Sequence, residues 1–330
     1  MENTLQTKLT SAIIPPHLLK AAYLVGKIPF RACRIDPRIS YTLYIPENQY
    51  TAVQKDLQSL PKGQKLPTER RLKLVANIPG TRRDASLFRD SLIPFADAHG
   101  VAILSPLFPA GLDGPLDLSS FKILRSKTLK ADIVFFSILD EVAHMWPGIT
   151  TERIILSGFS GGAQFAHRLM YLYPSRLEAV ALGAPGSVTQ LDHTKPWPTG
   201  LLGVEDVFDG RSADLDALRH IQHIFLYVGE NDSQTAATSE LQEWLAKHVP
   251  GKTASGTDEG TVSRLKLIKE LQSDWRSHGV GAELAVVPDV GHEYTKLLPV
   301  LRHWLSNIVR RGKLGVKAKE STCCGTARRS

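Results

Sequence analysis

The stretch Leu156–Arg168, LSGFSGGAQFAHR, sets Ser160 in the centre of a Gly158-Phe159-Ser160-Gly161-Gly162 run. A serine hydroxyl attacks carbonyl carbon only when a base takes its proton and an acid orients that base. The G-x-S-x-G spacing serves that chemistry when the serine lies at a sharp strand-to-helix turn. Glycines two before and two after the serine let neighbouring backbone pass where a Cβ would clash. The helix that follows aims its positive end at Ser160, which favours a developing anion. The Gly161 N–H then serves as one oxyanion donor. A phosphate loop needs another pattern: the chain has no G-x-x-x-x-G-K-[ST], and the spacing here is not G-x-G-x-x-G. The plain alternative is a tight turn with no chemistry.

The partners are sought downstream. His167 lies seven residues along the same helix, about 10 Å of rise, too far to serve Ser160. His292, in the loop DVGHEY between an apolar run and the last helix, falls at the end of a strand, on the rim expected for Ser160. The buried-strand pattern IFLYVGENDS ends in two acids, Glu230 and Asp232; Asp232, further past the strand end, is preferred as the orienting acid and Glu230 is second. A second oxyanion donor is expected from the loop after an early strand, LVANIPGTRRD, and is placed at the Thr81 backbone N–H.

These residues need a sheet to hold them. Apolar runs at 42–46, 72–78, 100–108, 153–158, 178–185, 224–230 and 282–289 read as strands, several of them continuous, as in strands covered on both faces. Helical patterns lie between them: ASLFRDSLIPFADAH, LKADIVFFSILDEVAHMW, GGAQFAHRLMYLY, ATSELQEWLAKHV, VSRLKLIKELQSDWRSHG and EYTKLLPVLRHWLSNIVRR. Strand–helix alternation of this kind predicts a mostly parallel, doubly wound α/β sheet. Residues 186–222, rich in Pro, Gly and Asp, break the rhythm and read as a cap-like insertion above the strand ends, where α/β folds bind ligands. Its Trp197, Leu201 and Phe208, with Phe159 beside the serine, are candidates for a substrate pocket. The plain alternative is that they pack the insertion down.

Charge and cysteines narrow the class. The formal charge is +7, but residues 310–330 hold seven Lys/Arg against one acid, Glu320, so the body is nearly neutral. That tail reads as a frayed, solvated terminus, and no basic face for nucleic acid is implied. Three cysteines, Cys33, Cys323 and Cys324, make no disulfide framework, which suits a reducing compartment. Neither a secretory leader nor a membrane span is legible, so a cytoplasmic protein is expected. No H-E-x-x-H and no CxxC pair is present, and neither metal nor cofactor is expected. The expected partner is a small-molecule substrate; oligomeric state is not readable.

Gly158–Gly162, NIPGTRRD, LSPLFPAG at 104–111, GAPGSVTQLD at 183–192, YVGEND and VGHEY together resemble the α/β-hydrolases of the serine esterase type, and more narrowly the fungal hydrolases of polyketide and toxin biosynthetic clusters. The resemblance covers about Arg38 to Val309, so residues 1–37 are taken as an N-terminal extension and 38–309 as the domain. It implies an α/β-hydrolase fold, a triad in the order Ser160, Asp232, His292, and hydrolysis of an ester or thioester of a small molecule. Relatives in cytochalasan-like pathways imply a second use of such a site, with His292 as general base and the oxyanion donors holding an enolate during ring closure of a polyketide–amide aldehyde. A third reading is a non-catalytic small-molecule binder. The sequence departs from the family at one place: Pro79-Gly80 stands where His-Gly is usual.

Overall fold

The computed structural model describes residues 9–232, 244, 247, 248 and 263–323, with side chains to residue 310. Its frame is an eight-stranded sheet: β1 (Gly26–Ala32), β2 (Ser40–Ile45), β3 (Lys73–Ile78), β4 (Val101–Leu107), β5 (Ile154–Phe159), β6 (Leu177–Gly183), β7 (Ile224–Gly229) and β8 (Glu283–Val287). They lie in the order β1-β2-β4-β3-β5-β6-β7-β8. The strands from β4 to β8 run parallel, and β2 is antiparallel to both β1 and β4. Continuous apolar runs form the middle of the sheet: β5 and β7 are buried at every position, as helices on both faces require.

The seven expected strands are all present, and the sheet starts one strand earlier. β1 falls inside the segment set down as an extension. Its sequence GKIPFRA carries Pro29 and two cations, and only Ile28 is buried. An edge strand with one wet face has no apolar run to announce it. The helices are α1 (Glu47–Ser59), α2 (Ala85–Asp90), α3 (Ile93–His99), α4 (Ala131–Met145), α5 (Gly161–Leu172), α6 (Val204–Val207), α7 (Leu215–Arg219), α8 (Arg264–Ser277) and α9 (Tyr294–Cys323). The pattern at 85–99, expected as one helix, is split in two, and Pro94 sits in the first turn of the second piece. α1 has a mostly polar sequence and buries only Tyr50, Val53 and Gln54, so no apolar stripe marks it. The expected helix at 237–249 lies, apart from Trp244, Lys247 and His248, outside the described residues. α9 continues through most of the basic segment expected to fray, as far as Cys323; residues 324–330 lie outside the described residues. No helix among the described residues is long and apolar enough to cross a membrane.

The segment after β6 is anchored along α5. Arg168 donates to Thr189 Oγ1 at 2.8 Å and Ser187 Oγ at 3.2 Å, and Tyr171 donates to the Thr189 carbonyl at 2.7 Å. Further on, the Asp214 N–H reaches the Tyr171 carbonyl at 3.1 Å. Leu201 and Phe208 are buried in the same hydrophobic core as the sheet.

His167 is fully buried in this contact. Its Nδ1 meets the Ala163 carbonyl at 2.8 Å, and its Nε2 accepts the Thr189 N–H at 3.0 Å. Burial, and then the Arg168 charge, take the imidazole down to about 3. The unfolded chain binds a proton at His167 near pH 6.5 and the folded one does not until about pH 3. The unfolded state therefore holds more protons across that window, and stability falls as pH drops through it. His167→Gln is expected to flatten the acid limb between about pH 6.5 and about pH 4, where the histidine contributes at most about 1.4 kcal/mol per pH unit. Urea midpoints across that range check this; an equally steep limb in the variant contradicts it.

Candidate active site

Parallel pairing lines up the carboxyl ends of the central strands on one rim. Ile78 pairs with Gly158, Phe159 with Gly183, Gly183 with Tyr227, and Gly229 with Val287. The loops after β3, β5, β7 and β8 thus meet at one rim of the sheet, carrying Thr81, Ser160 with Gly161, Glu230 with Asp232, and His292.

Ser160 is the turn between β5 and α5. It has φ 55° and ψ −115°, in the left-handed region that a side chain enters at a cost of about 1–3 kcal/mol. Its N–H donates to the Gly183 carbonyl at 2.7 Å, and its carbonyl accepts from Ala163 and Gln164 at 3.1 Å, so both sides of the turn are tied. The glycines are required by close approach. A Cβ on Gly158 would lie 2.2 Å from the Gly162 carbonyl oxygen, and one on Gly162 would lie 2.0 Å from the Ile78 carbonyl oxygen. Gly162→Ala is therefore expected to cost about 1–3 kcal/mol by forcing the first turn of α5 off β3. A denaturant midpoint equal to that of the unaltered protein would refute the close approach.

The acid and the base come together through backbone pairing. Asn231 N–H donates to the Val290 carbonyl and Glu230 N–H to the Val287 carbonyl, both at 2.9 Å. A Cβ on Gly229 would sit 2.1 Å from the Val290 carbonyl oxygen, so the two loops are pressed together. The fully buried Asp232 carboxylate then meets His292: Nδ1 and Oδ2 are 2.7 Å apart. Of the two candidate acids, Asp232 holds the imidazole, while Glu230 is exposed and faces the Asp289 N–H at 3.4 Å. With Nδ1 engaged, Nε2 is the nitrogen left to accept a proton. The His292 ring stacks on Phe159, next to Ser160, with centroids 4.7 Å apart. Phe159 also tilts against Tyr294, whose ring stacks on Phe88 at 4.0 Å. Phe159 thus supports the imidazole.

The loop after β3 brings Thr81 to Gly161. From the Cβ position of Gly161, the Thr81 amide nitrogen is 3.2 Å away. As the first residue of α5, Gly161 has an N–H with no intrahelical acceptor. Two amides therefore flank the serine corner despite Pro79. Arg83, at φ 58°, holds this loop: its guanidinium donates to the carbonyls of Thr81 at 2.6 Å, Phe108 at 2.8 Å and Leu118 at 3.1 Å.

Against protein-family models and against curated proteins the chain gives no match. Solved structures do match. LpqC, a poly(3-hydroxybutyrate) depolymerase from Bordetella parapertussis, superposes with a TM-score of 0.58 at 21% identity, over 89% of this chain and 93% of that one. Poly(aspartic acid) hydrolase-1 from Sphingomonas sp. KT-1 gives 0.56 at 19%, over 80% and 92%. An S-formylglutathione hydrolase from Agrobacterium tumefaciens gives 0.51 at 13%, over 83% and 90%. The chain has the α/β-hydrolase fold. Identities this low speak for the fold alone.

In this α/β-hydrolase fold, three of the candidate pocket residues pack within the segment after β6 and against the core. Phe208 packs edge-on against Trp197 at 5.1 Å and under the Arg125 guanidinium at 5.2 Å. It borders an open cavity of about 890 Å³ together with Leu172, Tyr173 and Pro174, which follow the far end of α5. Twelve residues of helix separate that end from Ser160, about 18 Å. Trp197 donates to the Ile123 carbonyl at 3.2 Å, and Leu201 is 1% exposed in the core. An insertion is stable only if its largest apolar groups are covered, and here the core covers them.

Three cations at the site escaped the sequence reading: Arg83, Arg264 and Lys122. Arg264 Nη1 donates to Asp232 Oδ1 at 2.9 Å, and its N–H donates to the Asp232 carbonyl at 3.0 Å. Both side chains of this ion pair are nearly or wholly buried. No local pattern marks Arg83 or Arg264, whose partners include groups distant in sequence, and Lys122 has no ion-pair partner among the described residues to mark it.

Proposed function

We propose that the chain is a serine hydrolase acting on an ester or thioester of a small molecule. The observation that carries this reading is the 2.7 Å pairing of His292 Nδ1 with buried Asp232, beside a serine at a strained strand-to-helix corner. The hydrolases and the depolymerase among the structural neighbours support it.

In this scheme Ser160 Oγ attacks the carbonyl carbon while His292 Nε2 takes its proton. Asp232 stabilises the imidazolium through Nδ1–H. The carbonyl oxygen, now negative, accepts from the Gly161 and Thr81 amides; one such donor typically contributes about 100- to 1000-fold in rate. His292 then protonates the leaving group. A water gives its proton to the same nitrogen and attacks the acyl-enzyme carbonyl; the acyl–Oγ bond then breaks as His292 returns that proton to Ser160 Oγ, and the acid is released. A polyketide or polyketide–amino-acid substrate is supported by the sequence resemblance. The same resemblance supports the second use of the site, in which His292 removes a carbon-bound proton for ring closure.

The test is covalent. A fluorophosphonate should add once to the folded protein, read as one adduct in the intact mass, and peptide mapping should place it on Ser160. A folded protein that takes no adduct, or takes it elsewhere, would falsify the covalent scheme.

A further inference from the structure

Lys122 stands beside both oxyanion donors and, among the described residues, has no carboxylate within ion-pair distance. The Cβ position of Gly161 is 3.0 Å from Lys122 Cε, 3.1 Å from Thr81 Oγ1 and 3.2 Å from the Thr81 amide nitrogen. The end of the lysine stem thus occupies the place next to the nucleophile that a side chain on Gly161 would fill. Bond lengths then put the ammonium within about 7 Å of the Gly161 amide. Lys122 is only 9% exposed. An ammonium has three donors to satisfy, and among the described residues the one side-chain hydrogen bond of Lys122 is a long one, 3.4 Å to Ser119 Oγ.

The surroundings deepen the imbalance. Arg168 Nη1 donates to the Lys122 carbonyl at 2.7 Å, and its other hydrogen bonds go to the hydroxyls of Thr189 and Ser187. Arg83 spends its guanidinium on three carbonyls. Among the described residues, none of these three cations has a carboxylate within ion-pair distance. Asp117 faces the group, but its carboxylate accepts from the backbone amides of Ser119 and Ser120. Burial, then Arg83 and Arg168, draw the ammonium down to about 8. Buried cations left without a counter-ion are costly, and an anion entering among them offsets that cost.

We propose that Lys122 forms an anion subsite beside the oxyanion donors, and that the acyl portion of the substrate carries a carboxylate a few bonds from the reacting carbonyl, as in a half-ester of a dicarboxylic acid. This rests on the serine-nucleophile reading. The leaving group must lie where His292 can protonate it, so the carboxylate belongs to the acyl side.

The experiment compares kcat/KM for the p-nitrophenyl half-esters of succinate and glutarate with that for neutral p-nitrophenyl butyrate. It uses the full chain, Lys122→Met, which keeps the stem, and Lys122→Arg, which keeps the charge. The unaltered protein should prefer a half-ester. The ratio of half-ester to butyrate should fall by about 10- to 100-fold in Lys122→Met, the loss of one charge-assisted hydrogen bond, and be largely retained in Lys122→Arg. The ratio should also fade as pH rises past about 8, where Lys122 loses its proton while Arg83 and Arg168 stay charged and Asp117 stays ionised. Effects of pH on the step common to both esters cancel in the ratio. Equal losses on both esters in Lys122→Met would make the lysine a stabiliser of the tetrahedral oxyanion and overturn the subsite, as would an unaltered protein with no preference. If the unaltered protein turns over neither ester, the hydrolase reading fails instead. Calorimetry with glutarate then decides: binding lost in Lys122→Met supports the subsite, and no binding to the unaltered protein overturns it.

Discussion

Ser160→Ala is expected to abolish fluorophosphonate labelling and to lower kcat for a p-nitrophenyl ester by about 10⁵- to 10⁶-fold, the scale seen when a triad nucleophile is removed. Binding and the oxyanion donors stay in place, so a residue of catalysis over water of about 10³-fold should remain. KM should move little, because the hydroxyl contributes to the transition state far more than to ground-state binding. The fold should tolerate the change: alanine carries the same Cβ through the φ 55° turn, and the backbone hydrogen bonds of Ser160 do not involve its hydroxyl. A variant retaining more than about a hundredth of the rate would mean that Ser160 is not the nucleophile.

Asp232→Asn tests two roles of one carboxylate. Catalysis should fall by about 10⁴-fold, since an amide cannot hold the imidazole in the productive tautomer or stabilise its charged form. Stability should fall as well, on the order of 3 kcal/mol, because Arg264 loses the anion that answers its buried charge. The two effects separate in the double variant Asp232→Asn, Arg264→Gln. Removing both charges should recover much of the stability and none of the rate. Urea unfolding and ester turnover of the three proteins read this out. Recovery of rate in the double variant would mean that the single substitution acted through folding, and the orienting role of Asp232 would be lost.

The sheet was legible wherever burial was continuous. Runs such as RIILSG and IFLYVGE read as covered strands, and their ends pointed to Ser160 and Asp232 as candidates, while His292 was reached from AELAVVPD, which forms the partly exposed β8. β1 and α1 escaped because a half-wet edge strand and a largely polar helix leave no periodic apolar signal. Aromatic composition left two readings open in the segment after β6, a ligand pocket or packing of the insertion: Trp197 and Phe208 pack against each other, and Phe208 lies under Arg125. Arg83, Lys122 and Arg264 were illegible for another reason. Arg83 and Arg264 are recognised by carbonyls or a carboxylate tens of residues away along the chain, and Lys122 only by the Gly161 turn that folding brings beside it. Pro79 shows the converse. It removes an amide from the loop, yet the Thr81 nitrogen still lies beside Gly161, because Arg83 fixes the loop from outside.

The helix behind the serine has a consequence for how the protein is followed in solution. Every residue of α5 except Gln164 is buried, and Gly162 rests on the end of β3. The corner at Ser160 cannot keep its backbone shape once those contacts part. If Ser160 is the nucleophile proposed above, its reactivity is a gauge of the assembled core: the labelled fraction would count native molecules one by one. In a crude preparation it would report the yield of correctly folded chain before any substrate is known.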